Sequence, residues 1–246
     1  MIPRLFFAEE LATGRRLVLA KATLHYLTRV MRLPPGSAVR LFDGRGGEWE
    51  AVMERQESGW SLLIGDHHPP LPEAPLRITL VQGLPKGGGL DWVVQKGVEL
   101  GITALVPLVC RRGVSRPIAA RADHQGERWR KIAIEAAEQC GRDRLPLLHP
   151  PTTWEKLAAL LPPGPRFLFW EEAAIGANLG RFSGESPTGE VTLLIGPEGG
   201  LAEEEVIHAR DHLGFVIARL GPRILRTETA ALAAIAAVQT LWGDWR

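Results

Sequence analysis

Along this chain the rhythm of apolar and polar positions changes near residue 70. Before it, short apolar-rich runs at 16–20, 38–42, 49–54 and 60–64 alternate with turn signals. Runs of that length and spacing predict strands. Asp43-Gly44-Arg45-Gly46-Gly47 lies between two of them and reads as a hairpin turn, because glycines supply the positive φ that tight hairpins require. A helix is predicted over 21–32, ended by Pro34-Pro35-Gly36. Together these elements predict a small, mostly β module, a barrel. Residues 66–75 hold four prolines in ten positions, which fix extended backbone and remove amide donors. They read as a linker, and His67 and His68 within it are expected to be exposed linker residues.

After the linker the pattern alternates. Strands are predicted at 77–82, 104–108, 166–170, 191–195 and 215–219, and helices at 90–100, 122–140, 153–161, 202–212 and 227–242. Such alternation predicts an α/β domain with a mainly parallel sheet and right-handed crossovers. The last helix is rich in alanine, with Leu225, Leu232, Ile235, Val238 and Trp242 recurring at helical spacing. Small residues allow close backbone approach, which serves either tight core packing or a seam between two copies. The domains divide as 1–70 and 71–246.

Chemistry concentrates where two predicted strands end. Val191-Thr192-Leu193-Leu194-Ile195 is a continuous apolar run that suits a buried parallel strand, and Gly196-Pro197-Glu198-Gly199-Gly200 follows it. Ala202-Glu203-Glu204-Glu205 then opens a helix, where acids favour the positive end of the dipole. Ligands of open α/β sheets bind outside the carboxyl ends of the strands. The loop matches neither the dinucleotide pattern GxGxxG nor the phosphate loop GxxxxGK[ST]. Pro197 deletes an amide that a phosphate cradle would use, and Glu198 would repel a polyphosphate. A cofactor with an adenosine and a positive centre suits the loop better. One β-α-β unit further on, Leu220-Gly221-Pro222-Arg223-Ile224-Leu225-Arg226-Thr227-Glu228-Thr229-Ala230 makes a second Gly-Pro turn, with Thr227 placed to cap the next helix. Two such turns after successive strands can place both loops at one sheet edge.

Composition narrows the classes. Hydrophobic residues make up 45% and charged residues 23%, as in soluble globular proteins. No apolar run of about 20 residues is present to span a membrane. The first residues lack the features of a secretory signal, so a cytoplasmic protein is expected. Cys110 and Cys140 belong to no CxxC or metal-ligand pattern, so both are expected to be reduced thiols and no metal is expected. The net charge is +1, but residues 111–144 carry nine Lys/Arg against five Asp/Glu. That local excess is either a phosphate-contacting stripe or a solvated helix face.

The two C-terminal motifs, in this order, closely resemble the bacterial 16S rRNA uridine-N3 methyltransferases of the SPOUT superfamily. Gln95-Lys96-Gly97-Val98-Glu99-Leu100-Gly101 and Glu135-Ala136-Ala137-Glu138-Gln139-Cys140-Gly141-Arg142 support the resemblance, which spans most of the chain. It implies an α/β methyltransferase domain with a C-terminal trefoil knot at 71–246, preceded by a small PUA-like β-barrel RNA-binding domain at 1–70. It also implies S-adenosyl-L-methionine bound between the two loops, a homodimer, and 16S rRNA of the small ribosomal subunit as substrate.

On that basis Leu194, Ile195, Gly196, Gly199, Gly200, Leu220, Gly221, Ile224, Leu225 and Thr227 are expected to contact the cofactor. Uridine N3 carries a proton and is a poor nucleophile while neutral, so a base or an anion-stabilising cation is needed. Glu228 and Glu198 are the candidate bases and Arg226 the candidate cation. Arg15, Arg16, Arg29, Arg32 and Arg142 are candidate RNA contacts. Cys140 needs no covalent role, because N3 methylation requires no enzyme adduct. Three other readings fit parts of the pattern. They are a knotted methyltransferase acting on tRNA or large-subunit RNA, a non-catalytic RNA-binding protein of the same fold, and a nucleotide-dependent oxidoreductase, which the missing GxGxxG disfavours.

Overall fold

A computed structural model describes residues 2–57, 59–70, 72–85, 89–113, 119–173, 177, 179–182 and 189–245. The chain divides into two compact units, Met1–Pro72 with Ala137–Leu145, and Glu73–Ala136 with Pro146–Arg246.

The first unit contains β1 (Arg4–Phe6), β2 (Arg16–Val18), α1 (Lys21–His25), β3 (Ala38–Phe42), β4 (Glu48–Gln56) and β5 (Gly59–His68). The strands pair in the order β1-β3-β4-β5-β2. Only the β1–β3 pair is parallel; β3, β4, β5 and β2 are joined antiparallel. Period-two burial along β4 and β5 sends Ala51, Met53, Leu62 and Ile64 into a core shared with Leu17, Leu27, Val39 and Leu41. The predicted 21–32 helix is α1 followed by a π-helical turn, Tyr26–Val30, that brings Leu27 into this core. Residues 137–145 are tied in by hydrogen bonds. Arg4 Nη1 donates to the Ala137 carbonyl (2.8 Å), Phe6 N to Glu138 Oε1 (2.9 Å), and Gly47 N to the buried carboxylate of Asp143 (2.8 Å).

The linker assignment of His67 and His68 is corrected here. Both residues belong to β5, paired with Trp49 and Glu48. His67 packs on Trp49 with ring centroids 4.4 Å apart, and His68 Nε2 lies 3.1 Å from Glu50 Oε1. Cross-strand partners extend the strand to the edge of the prolines, which sequence-local turn signals do not reveal. β1 and the two-residue β8 below were also not predicted, because neither lies in an apolar run set off by turn signals.

The second unit contains β6 (Arg77–Gly83), α2 (Gly89–Glu99), β7 (Ile102–Leu108), α3 (Ala119–Cys140, whose last turn belongs to the first unit), β8 (Leu147–Leu148), α4 (Trp154–Leu157), β9 (Arg166–Phe169), β10 (Glu190–Ile195), α5 (Glu203–Leu213), β11 (Val216–Ala218) and α6 (Thr227–Trp242). Every strand pair is parallel, in the order β11-β9-β10-β6-β7-β8. β10 and β6 sit at the centre and are almost wholly buried, as their unbroken apolar runs require. α6 packs against α2, β6 and β10. Its buried face is Thr227, Ala231, Ala234, Ile235, Val238, Gln239 and Trp242, with Leu232 only half-buried. The Gln239 amide donates to the Leu100 carbonyl at 2.9 Å, anchoring α6 at the end of α2.

Candidate functional site

The site is built at the carboxyl ends of β10, β9 and β11, where a parallel sheet leaves its ligand crevice. β10 ends at Ile195 and the chain turns through residues 196–200. The Gly200 amide donates to the Pro197 carbonyl at 2.9 Å and closes the turn. Gly200 has φ +70°, a left-handed conformation that favours glycine, and a Cβ there would meet Glu171 Oε1 at 2.6 Å. α5 is fixed at its start by Glu205, which is buried. Its Oε2 accepts from Ala202 N (2.8 Å), while its Oε1 accepts from Arg111 N (2.8 Å) and Trp154 Nε1 (2.9 Å). The bond from Glu205 to the Ala202 amide is one half of a capping box. The other two tie the 196–202 turn to its neighbours. Glu204, one residue earlier and exposed, has its carboxyl held below the usual range by a backbone amide at the helix start and by Arg111.

β11 leads into the second loop, where Gly221 has φ +82°. The loop ends at Thr227, the first residue of α6. Its hydroxyl donates to the Gly196 carbonyl at 2.5 Å and accepts from Gln82 Nε2 at 2.8 Å. Gln82 is the wholly buried penultimate residue of β6. One hydroxyl therefore ties the ends of β6 and β10 to the start of α6.

Between the two loops lies a cavity of about 640 Å³, within the range of small-molecule sites. Ile195, Gly196, Gly200, Leu220, Gly221, Ile224, Leu225 and Thr227 line it, as do Glu198, Arg226 and Glu228. The structure thus brings eleven of the thirteen expected cofactor and catalytic residues to one place. Leu194 is buried in the core of the sheet, because the alternation of β10 turns its side chain away from the crevice. Gly199 packs on the Arg112 backbone, where a Cβ would meet the carbonyl at 2.8 Å. Ile224 is 81% exposed, at the rim. The sequence reading missed Phe169, Trp170, Glu171, Arg219 and Arg223, which also line the cavity. The rule that selected the ends of the other two strands applies equally to the end of β9 and would have found the first three.

The arginines expected to meet RNA differ in their surroundings. Arg15 pairs with Glu9 (2.7 Å) and donates to the Glu10 carbonyl, and Arg16 pairs with Glu54 (3.0 Å). Arg29 and Arg32 are exposed, and Arg32 has φ +55°. Arg142 is half-buried, and its carbonyl accepts from the Arg4 guanidinium at 3.3 Å. Among the described residues no group of three or more His, Cys, Asp or Glu is placed to hold a metal ion. No described helix is long and apolar enough to cross a membrane.

The chain carries an all-parallel sheet with a two-loop crevice and a small β unit, and its class is that of the RNA methyltransferases. The family model of the RNA methyltransferase domain matches residues 72–239, and that of the RNA methyltransferase PUA domain matches residues 19–57. The chain is 34% identical over 221 residues to the ribosomal RNA small subunit methyltransferase E of Bacillus subtilis, covering 87% of this chain and 86% of that one. It is 35% identical over 246 residues to the protein of the same name from Synechocystis, covering 98% and 78%. The crystal structure of the Neisseria gonorrhoeae ribosomal RNA small subunit methyltransferase E bound to S-adenosyl methionine superposes with a TM-score of 0.88, at 35% identity over the whole of both chains. The chain belongs to the ribosomal RNA small subunit methyltransferase E family.

Proposed function

We propose that this protein transfers a methyl group from S-adenosylmethionine to N3 of a uridine in 16S rRNA of the small ribosomal subunit. The observation that carries the reading is the single cavity formed by the 196–200 and 220–228 loops and braced by Thr227. The residues present fit the cofactor. Phe169, Ile195, Leu201, Leu220 and Leu225 offer apolar surface for an adenine, and Gly200 and Gly221 leave backbone open to close approach. Three carboxylates, Glu171, Glu198 and Glu228, face a cavity that would take a cationic sulfonium.

When bound, S-adenosylmethionine supplies a methyl group already activated by its sulfonium, so the protein's work is positioning and exclusion of water. The loop backbones would hold the adenosine edge, and Ile224 and Leu225 would pack on its face. Glu228 or Glu198 would take the proton from uridine N3. Arg226 stands at the N-terminus of α6, where its charge and the helix dipole together stabilise negative charge on the uridine carbonyl oxygens. Residues 1–70 serve as the RNA-binding domain and 71–246 as the knotted catalytic domain. The working form is a cytoplasmic homodimer, with RNA held by both subunits.

The test is a methyl-transfer assay with S-adenosylmethionine and small subunits from a strain lacking the modification, followed by nucleoside mass spectrometry. A new 3-methyluridine peak is expected. Its absence, or a peak from another methylated nucleoside, overturns the assignment.

A further inference from the structure

The first unit carries a second hollow, of about 550 Å³, that the methyl-transfer chemistry does not use. Lys21, His25 and Arg29 reach it from the helical segment, and Arg55 and Trp60 from β4 and β5. All four basic residues are exposed. Among the described residues none of them has a carboxylate partner, whereas Arg15, Arg16 and Arg40 in the same unit are each paired. The Arg55 guanidinium lies over the Trp60 ring, 5.9 Å from its centroid, giving a planar, cationic surface.

The backbone beside the hollow is unusual in two ways. The helix converts to a π turn at Tyr26–Val30, and Arg32 follows with φ +55°, a conformation that side chains other than glycine adopt at a cost. The π turn buries Leu27 while leaving Tyr26, Val30 and Met31 exposed at 42%, 60% and 38%. Unpaired cations beside a guanidinium stacked on an aromatic ring are what an unstacked nucleotide requires. Cations take its phosphates, and flat surfaces take its base.

We propose that this hollow binds a nucleotide of single-stranded or looped RNA, with Lys21 and Arg29 on the phosphates and the Arg55–Trp60 pair against the base. The inference rests on the RNA-methyltransferase reading, but it assigns the grip to Lys21, Arg29, Arg55 and Trp60 rather than to the paired Arg15 and Arg16.

The test uses the full chain and a fluorescein-labelled single-stranded 30-nucleotide RNA, with the same sequence as a duplex, read by anisotropy over a salt series. Lys21→Ala with Arg29→Ala is expected to weaken single-strand binding at least tenfold. It should reduce the log–log salt slope by about 1.4, for two phosphates at about 0.7 each. Arg210→Ala, which removes a surface cation of the other unit, is expected to leave both unchanged. Wild-type affinity and slope in the double variant overturn the proposal, as does duplex binding as tight as single-strand binding. S-adenosylmethionine titration of the wild type and the double variant separates the two readings. Intact cofactor binding with lost RNA affinity supports the hollow, whereas a wild type that binds no cofactor is a failure of the methyltransferase reading alone.

Discussion

Thr227 and Gln82 share one hydrogen bond, and cutting it from either end should have different consequences. Thr227→Val keeps shape and removes the hydroxyl. The Gly196 carbonyl then loses its 2.5 Å donor, and the Gln82 amide loses its 2.8 Å acceptor, keeping a 3.2 Å bond to the Gly83 carbonyl. Two buried bonds at about 1 kcal/mol each give a loss of about 2 kcal/mol. For a unit of this size that lowers the melting temperature by roughly 4–8 °C. Gln82→Leu removes the same bond from behind, yet it also removes Gln82 Oε1, a buried acceptor with no partner among the described residues. The lost bond and the relieved orphan are each about 1 kcal/mol, so stability should change by less than about 1 kcal/mol. Gln82 does not line the cavity, so any effect on cofactor acts through the position of Thr227 and the Gly196 turn. S-adenosylmethionine affinity is therefore expected to fall in both variants, by about tenfold. Calorimetric melting and isothermal titration measure the two quantities. A Thr227→Val protein that melts within 1 °C of wild type, or a Gln82→Leu protein with unaltered affinity, would refute the brace.

Glu205→Gln should destabilise the protein by about 2–3 kcal/mol in urea unfolding, because an amide NH₂ would face one of three donors that the carboxylate accepts. Gly200→Ala should weaken S-adenosylmethionine binding at least tenfold by titration, since φ is +70° and the new methyl meets Glu171. A thiol assay should find one reactive cysteine in the native protein and two in denaturant. Cys140 is exposed, whereas Cys110 is buried and its thiol is pushed far up by burial and by the nearby Glu205 charge. Burial lowers the His149 pKa below its ordinary 6.5. Protonation therefore favours the unfolded chain, so this residue's contribution is complete above about pH 6.5 and is lost as pH falls toward the folded value. His149→Gln should flatten that part of the stability–pH curve.

The parallel sheet was legible because its central strands, β6, β7 and β10, are long apolar runs between strong helix signals. β10 extends one residue beyond its predicted span, and α6 begins and ends at the predicted residues. The two loops were legible because glycine and proline mark turns whatever surrounds them. Glu171 was not, since nothing local distinguishes it from Glu172; only the 2.6 Å approach to the position of a Gly200 Cβ shows which one faces the turn. Residues 137–145 look like the end of a helix and a short loop, yet Asp143 and Glu138 are spent on amides of the first unit. Contacts at that separation have no period to read. Gln82 is a similar case, because a polar residue in an apolar strand declares that it has a partner without naming it.

The cavity's charges explain why glycine-rich loops here serve a different ligand from those of dinucleotide folds. Six ionisable side chains line it, Glu171, Glu198 and Glu228 against Arg219, Arg223 and Arg226. A polyphosphate site instead needs convergent amides and an excess of cations. Pro197 has no amide to give. It is buried, with its ring where a Cβ on Gly83 would lie, 2.6 Å away. Proline here therefore locks the ends of β6 and β10 together. The chain uses the turn for close packing and leaves charge of both signs at the mouth, an arrangement suited to a ligand that carries both signs. Arg226 and Glu228 stand two residues apart at the start of α6, so the proposed proton removal would find a guanidinium and a carboxylate within one turn.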